Sequence, residues 1–478
     1  MTAPAVVLSA RWIVGHAGGR HRLIRDAELA VIGDAIAFVG RGYPGPVAER
    51  IDCGDATIAP GFIDLDALGD LDTGVLGYDN QPGWAKGRQW PASYAERGPW
   101  ESYDADALRV QARYALVHLI RNGITTALPI ASLLYRAWAE TVEQFEMMAE
   151  VAGELGLRLY LGPAYRSGYA VVHPDGRLEQ RFDEPRGLAG LADAIAFARR
   201  IDGRHGGRIR AMLAPDRIEG CTPALLRRTA DASRDLVAPV RLHCCQTPFE
   251  VETIRGLHAT TPIAWLDGLG FLSERAVLPH GIFAFPDEDL RRVVDAGASI
   301  ACCPLVMARG ARAVDSRRIL RAGGTLGLGT DTWPADMIAN MHAGVMLGRV
   351  VAEDGMAIRV ADMFDAATIG GAKALGRPDL GRLEPGAKAD LVVLDQPPDY
   401  LADVLDPLPR LLLSGSGRDV RSVMIDGRFV MRDRTIPGID QGRLEAEARQ
   451  AFAAIPRHLP ARSVAPADAL IVPTYPLG

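Results

Sequence analysis

The chain has 478 residues, 48% hydrophobic and 23% charged, with a formal net charge of −6. That balance is ordinary for a soluble globular protein. It leaves no basic stripe for nucleic acid, and no run approaches the roughly 18 apolar residues of a membrane helix. The length suits a barrel of roughly 200–400 residues with a smaller companion. Residues 1–8 lack a basic region followed by a long apolar core, so no secretory signal is expected. The six cysteines include the pairs Cys244-Cys245 and Cys302-Cys303 in apolar strands, which suits reduced thiols and a cytoplasmic protein.

Residues 5–15, 27–39 and 48–59 read as β-rich runs, and the same texture returns at 389–394 and 420–433. There Asp426-Gly427 sits between two apolar runs as a hairpin signal. Both chain ends are therefore expected to build one small β-sandwich around a long middle.

That middle alternates helix and strand. Residues 104–122 carry apolar side chains at helical spacing, with Asp104 as N-cap and Gly123 as the stop, before a strand at 124–130. Helices at 139–155, 187–201 and 222–233 lead to strands at 157–163, 208–214 and 239–245. Strand 276–280, a helix at 286–295, and strands 298–303 and 325–331 follow. Such alternation predicts parallel βαβ units in an eight-stranded (β/α)8 TIM barrel. The long polar, aromatic stretch 77–103 fits a lid over the site better than a disordered loop. Residues 444–455 form an amphipathic helix before a Pro-rich tail, suited to packing or a subunit contact.

Chemistry concentrates at strand ends. Leu328-Gly329-Thr330-Asp331 ends one strand in a carboxylate, and His243 and His280 end two earlier ones. A lone histidine at a strand end is usually structural, and an aspartate there often caps a helix. Three such residues converging on one barrel mouth are instead the ligand types of a catalytic zinc, which keeps a position open for water. Asp331 is also placed to take that water's proton.

On these residues the chain resembles the amidohydrolase superfamily, in the branch of the triazine chlorohydrolases and the cytosine and guanine deaminases. The resemblance covers nearly the whole chain. Its anchors are 59–64 (APGFID), 328–331 (LGTD), 381–390 (GRLEPGAKAD) and 424–427 (MIDG). It implies a (β/α)8 barrel with a composite β-sandwich, and a hydrolase acting on C–N or C–Cl bonds of small heterocycles or amides.

The departures are specific. The family's H-x-H metal motif falls on Asp66 and Leu68, its strand-end histidine before the proline falls on Cys302, and its proton-shuttling glutamate falls on Gln246. A glutamine cannot shuttle protons as a carboxylate does. His243 and Asp331 carry over as metal ligands, His280 as a ligand or a holder of the nucleophilic water, and Asp66 is a competent replacement. Asp70 and Asp72 stand in reserve as loop acids.

The expected organisation is residues 1–59 and 388–437 as the two halves of the sandwich, 60–387 as the barrel and 438–478 as a terminal helix and tail. The expected enzyme is a cytoplasmic homodimer hydrolysing a non-peptide C–N bond of a small cyclic substrate, as a deaminase, amidase or lactamase. One divalent metal, zinc before manganese or magnesium, is held by His243, Asp331, Asp66 and His280. Asp331, His280 and Gln246 are the catalytic candidates. Arg166, Tyr165, Trp333, Trp90 and Cys302 are the candidate substrate contacts: an arginine grips a carboxylate in two places, and tryptophan stacks on planar rings. The alternatives are a metal-free hydrolase using Asp331 and His280, and a silent small-molecule-binding relative.

Overall fold

The structure, a computed structural model, describes residues 3–71, 90–97, 104–131, 140–283, 285–332, 334–396, 405–453 and 475. Trp333, Asp72 and most of the aromatic stretch 77–103, including Trp84, lie outside the described residues.

The two chain ends meet in one eight-stranded sheet among the described residues. Its order runs Arg428–Met431, Val420–Ile425, Leu391–Asp395, Ala56–Pro60, Ala5–Ala17, Arg20–Ile32 and Ala35–Gly40, with Val47–Asp52 alongside Ala5–Ala17. The join is the antiparallel pairing of Leu391–Asp395 with Ala56–Pro60, with Val392 opposite Ala59. The β-rich run 27–39 divides after Ile32, where Gly33 turns the chain at φ 63°. The hairpin at Asp426-Gly427 forms as expected, with Ile425 opposite Arg428.

Among the described residues, eight parallel strands run through the middle. They are β1 (Phe62–Leu68), β2 (Ile124–Ile130), β3 (Arg158–Leu161), β4 (Ile209–Ala211), β5 (Val240–Arg241), β6 (Ala276–Pro279), β7 (Ser299–Cys302) and β8 (Thr325–Leu328). They form two four-stranded sheets, β1 to β4 and β5 to β8. Backbone bonds run between the sheets at both edges. At one edge Leu213 N donates to Pro239 O at 2.9 Å and Arg241 N to Leu213 O at 2.9 Å; at the other Asp331 N donates to Asp66 O at 2.6 Å.

Side chains alternate along these strands. Ile63, Leu65, Leu128, Tyr160, Met212, Val277 and Ala301 form one interior cluster drawn from both sheets. Their neighbours Leu159, Leu242, Leu278, Ile300 and Leu328 pack outward with the helices. Those helices start where side-chain oxygens cap them: Asp104 before Ala105–Arg121, Thr141 before Val142–Leu155 and Thr222 before Pro223–Leu236.

The motif glycines have a steric reason. A Cβ on Gly61 would lie 2.2 Å from the Thr125 side chain, and one on Gly329 would lie 2.6 Å from Asp66 Cβ. The first lets the outer sheet turn into β1 beside β2. The second lets the end of β8 close against β1.

A buried ionic cluster joins outer sheet to inner strands. Arg158 on β3 donates to Asp390 Oδ2 and Oδ1 at 3.0 and 3.2 Å and to Asp426 Oδ1 at 2.6 Å. No helix among the described residues is long and apolar enough to cross a membrane.

Candidate active site at the strand ends

His243, His280, Cys303 and Asp331 sit one to three positions past the ends of their strands. Asp331 follows β8 with φ 57° and His280 follows β6 with φ 81°; Cys245, two residues past His243, has φ 59°. Aspartate tolerates this left-handed conformation; for histidine it is uncommon and is tolerated where the surroundings impose it. The turn swings each side chain off the ladder and over the interior.

Asp66, near the end of β1, is fully buried at the centre. His243 Nε2 lies 3.4 Å from its Oδ1, and His280 Nε2 lies 3.9 Å from its Oδ2. Cys303 Sγ is 3.7 Å from Oδ2, and the guanidinium of Arg241, below His243 on β5, is 3.8 Å from Oδ1. Single ligand atoms of Asp66, His280, Cys303 and Asp331 all lie within 4.8 Å of one another. The two imidazoles stack, centroids 5.4 Å apart. Burial alone would raise the Asp66 carboxyl, but the charges of His243, Arg241 and His280 outweigh it and hold it well below the usual range.

Asp64 does a different job. It accepts from Thr330 N at 3.0 Å, from Thr330 Oγ1 at 2.5 Å and from Asp66 N at 3.2 Å, pinning β8 to β1. Burial pushes its carboxyl up to about 6 against those bonds.

The histidine geometry tests whether a metal fits. His243 Nδ1 is 2.7 Å from the backbone oxygen of Asp216. A carbonyl only accepts, so Nδ1 carries a proton and Nε2 is the ring nitrogen that faces Asp66. That nitrogen lies 3.4 Å from the carboxylate. A proton or a metal ion can sit between them, and Nε2 is a metal donor whenever it carries no proton. Donor atoms around a tetrahedral zinc, with bonds of about 2.0–2.3 Å, lie roughly 3.3–3.7 Å apart. Asp66 Oδ1 is buried and makes no close hydrogen bond. The residues present fit a divalent metal.

The other expected residues divide by side-chain alternation. Arg166 is buried, its Nη1 3.3 Å from Asp216 Oδ2 and its guanidinium 4.6 Å over the ring of Trp90. Trp90 reaches it because Trp90–Pro91 pairs with Gly168–Val172, part of a hairpin with Leu178–Phe182. Arg166, Asp216 and His243 thus form one connected chain behind the site. Tyr165 faces outward into the helix-side core, its hydroxyl 3.0 Å from Thr229 Oγ1, while Arg166 turns the other way. Cys302, the last residue of β7, also faces outward. It packs in the outer core while Cys303 turns in, and burial pushes the Cys302 thiol up to about 12. Gln246 is buried with its side-chain oxygen accepting from Arg217 and its backbone N donating to Glu250 Oε2 at 3.0 Å.

Cys303, Arg241 and Asp216 were not singled out from the sequence. Arg241 had a signal, its two-residue spacing from His243 on one strand. Asp216 had none, since it acts through its backbone carbonyl.

The sequence profile of the amidohydrolase family matches residues 58–430. A 5-methylthioadenosine/S-adenosylhomocysteine deaminase from Natronomonas pharaonis is 29% identical over 89% of this chain and 93% of its own length. The enzyme of that description from Pyrococcus abyssi is 27% identical over 89% and 94%. Among solved structures, an adenosine deaminase from Xanthomonas campestris with bound zinc superposes with a TM-score of 0.76 at 21% identity, covering 95% of this chain and 98% of its own. Atrazine chlorohydrolase from Arthrobacter aurescens TC1, complexed with zinc, gives a TM-score of 0.75 at 20% identity, covering 94% and 100%. The two structural likenesses carry the fold.

Proposed function

The chain belongs to the amidohydrolase family, and on that premise we propose that it deaminates a small cyclic amine, an adenine-type nucleoside first among them. It is a hydrolase acting on carbon–nitrogen bonds other than peptide bonds. The observation that carries the site is the gathering of Asp66, His280, Cys303 and Asp331 within 4.8 Å, with His243 beside them. The substrate class is supported by the relatives named for 5-methylthioadenosine and S-adenosylhomocysteine.

We read the two parallel sheets as one closed (β/α)8 barrel at residues 60–387. This rests on the bonds between their edges and the shared interior cluster. The composite β domain then takes residues 1–59 and 388–437, and 438–478 form the terminal helix and tail. A homodimer fits the exposed Met346, Val350, Val351 and Met356 on and after the helix Met337–Val351, and sedimentation tests it. A cytoplasmic location fits an enzyme with six free cysteines.

A bound divalent metal, zinc before manganese or magnesium on this donor set, would lower the pKa of a water and polarise the substrate. Asp66, Asp331, His280 and His243 would hold it. Asp331 takes the water's proton and returns it to the departing amine. This falls to Asp331 because Gln246 can orient a group by hydrogen bonding but cannot carry a proton. His280 stabilises the charge that develops on the substrate. The Asp216 carbonyl fixes the His243 tautomer, and Arg166 against Trp90 offers a cationic, planar edge to a ring or carboxylate.

The test is ammonia release from 5-methylthioadenosine, S-adenosylhomocysteine, adenosine, guanine and an amino-s-triazine, before and after chelation and zinc return. Release lost on chelation and regained with zinc is expected. No release from any of these by metal-loaded protein would overturn the deaminase reading. Full activity after chelation favours the metal-free alternative, which Arg241 supports by supplying a fixed cation 3.8 Å from Asp66.

A further inference from the structure

We propose that the Cys303 thiol is a ligand of the metal, a soft donor standing in for an imidazole that the first strand lacks. This rests on the metal reading above and adds to it a residue outside the expected ligand set.

Three observations carry it. Cys303 Sγ lies 3.7 Å from Asp66 Oδ2, close to the roughly 3.5 Å separating a sulfur and an oxygen on one tetrahedral zinc. Its sulfur shares the 4.8 Å cluster with His280 and Asp331 on two other strands, so four ligands converge from four strand ends. Asp66 Oδ1 is buried and makes no close hydrogen bond, with His243 Nε2 at 3.4 Å and the Arg241 guanidinium at 3.8 Å as its neighbours, so the oxygen can still take a metal.

The position follows from the chain. Ala301 faces the interior and Cys302 the helices, so the next side chain returns to the interior. Pro304 then opens the helix Pro304–Arg309, and Cys303, at its N-cap, makes no side-chain cap bond. The thiol is free of that duty. Leu68, where the family places its second histidine, lies on β1 and carries no donor.

In the metal-free protein the Cys303 thiol donates to Asp66 Oδ2. On binding, the S–H bond breaks, an S–metal bond forms, and the proton leaves to solvent. A thiolate donor shifts preference toward softer metals, zinc and cadmium over manganese and magnesium.

Cobalt(II) substitution of the full chain tests this by absorption spectroscopy. The wild type is expected to bind one cobalt with a near-ultraviolet sulfur-to-cobalt charge-transfer band. Cys303→Ser is expected to bind cobalt with that band lost, and Cys302→Ser to keep it. Cobalt bound by the wild type with no sulfur band overturns the ligand role while leaving the metal reading intact. No cobalt bound at all overturns both. If Cys303→Ser does not fold, the wild-type band and its retention in Cys302→Ser decide the question.

Discussion

Asparagine at position 331 removes a proton acceptor while keeping the shape of the site. Asp331 is 4% exposed and held at φ 57°, with its backbone N bonded to Asp66 O at 2.6 Å. Asparagine has the same outline and tolerates the left-handed conformation equally well, so the backbone bond and the fold should survive. The chemistry should not. Loss of a positioned general base costs about 10²–10⁴ in rate, or roughly 3–5 kcal/mol on the barrier at about 1.36 kcal/mol per tenfold. Weaker metal binding adds to this, because a neutral amide replaces an anionic ligand. Steady-state ammonia release at saturating zinc separates the two effects, and thermal unfolding checks the fold. Asp331→Asn retaining more than about a tenth of kcat, far above that general-base range, with an unchanged Tm, would falsify the assignment of the proton to Asp331.

Asp66→Asn should behave differently although the change is equally small. It leaves the buried Arg241 guanidinium with the Leu128 carbonyl at 2.8 Å and no carboxylate at 3.8 Å. Denaturant unfolding should show a loss of about 3–5 kcal/mol, and adding Arg241→Met should recover much of it; no recovery removes Arg241 as the cause. Arg158→Met strands the buried Asp390 between the outer sheet and β3, while Asp426 keeps Arg208 and Lys388 at 3.6 and 3.8 Å, so a loss of about 3–5 kcal/mol is expected, mostly from Asp390. An unchanged unfolding midpoint there rules out that cluster as the tie. His118 gives a pH signature: burial lowers its pKa from 6.5 to about 4. Between those values the folded chain binds fewer protons than the unfolded one, so stability falls as pH drops from 6.5 through 4, by at most about 3 kcal/mol. His118→Gln should flatten that slope in unfolding curves at pH 7.5, 6 and 5, and an unchanged slope would assign it elsewhere.

The parallel strands were legible because apolar runs of strand length alternate with capped amphipathic helices, and both signals are local. Their ends were not. The run 325–331 reads as one strand, yet pairing stops at Leu328 because Asp331 must turn left-handed to reach the interior. The hairpin of Gly168–Val172 and Leu178–Phe182 escaped notice since polar residues such as Glu179 and Arg181 fill its second strand. The same limit hid that Cys303 and Arg166 turn inward while Cys302 and Tyr165 pack outward. Phase along a strand decides which of two adjacent side chains enters the site, and a turn at the strand end resets that phase.

That phase also bears on what the loss of H-x-H means. Read as spacing, Asp66 and Leu68 look like a broken site. In three dimensions Asp66 keeps two imidazoles, a thiol and a guanidinium within 3.9 Å. A bare carboxylate in so dry a place would cost several kcal/mol unless paired, and here the cations around it lower its pKa instead of letting it protonate. Arg241 and a metal would compete for that one anion. If both are present, the metal binds an already half-neutralised ligand set and should be held more loosely than by unopposed carboxylates. Arg241→Met should then tighten zinc in a competition titration while lowering the stability of the metal-free protein. Zinc affinity that falls in that variant would mean that Arg241 builds the site by holding Asp66 in place.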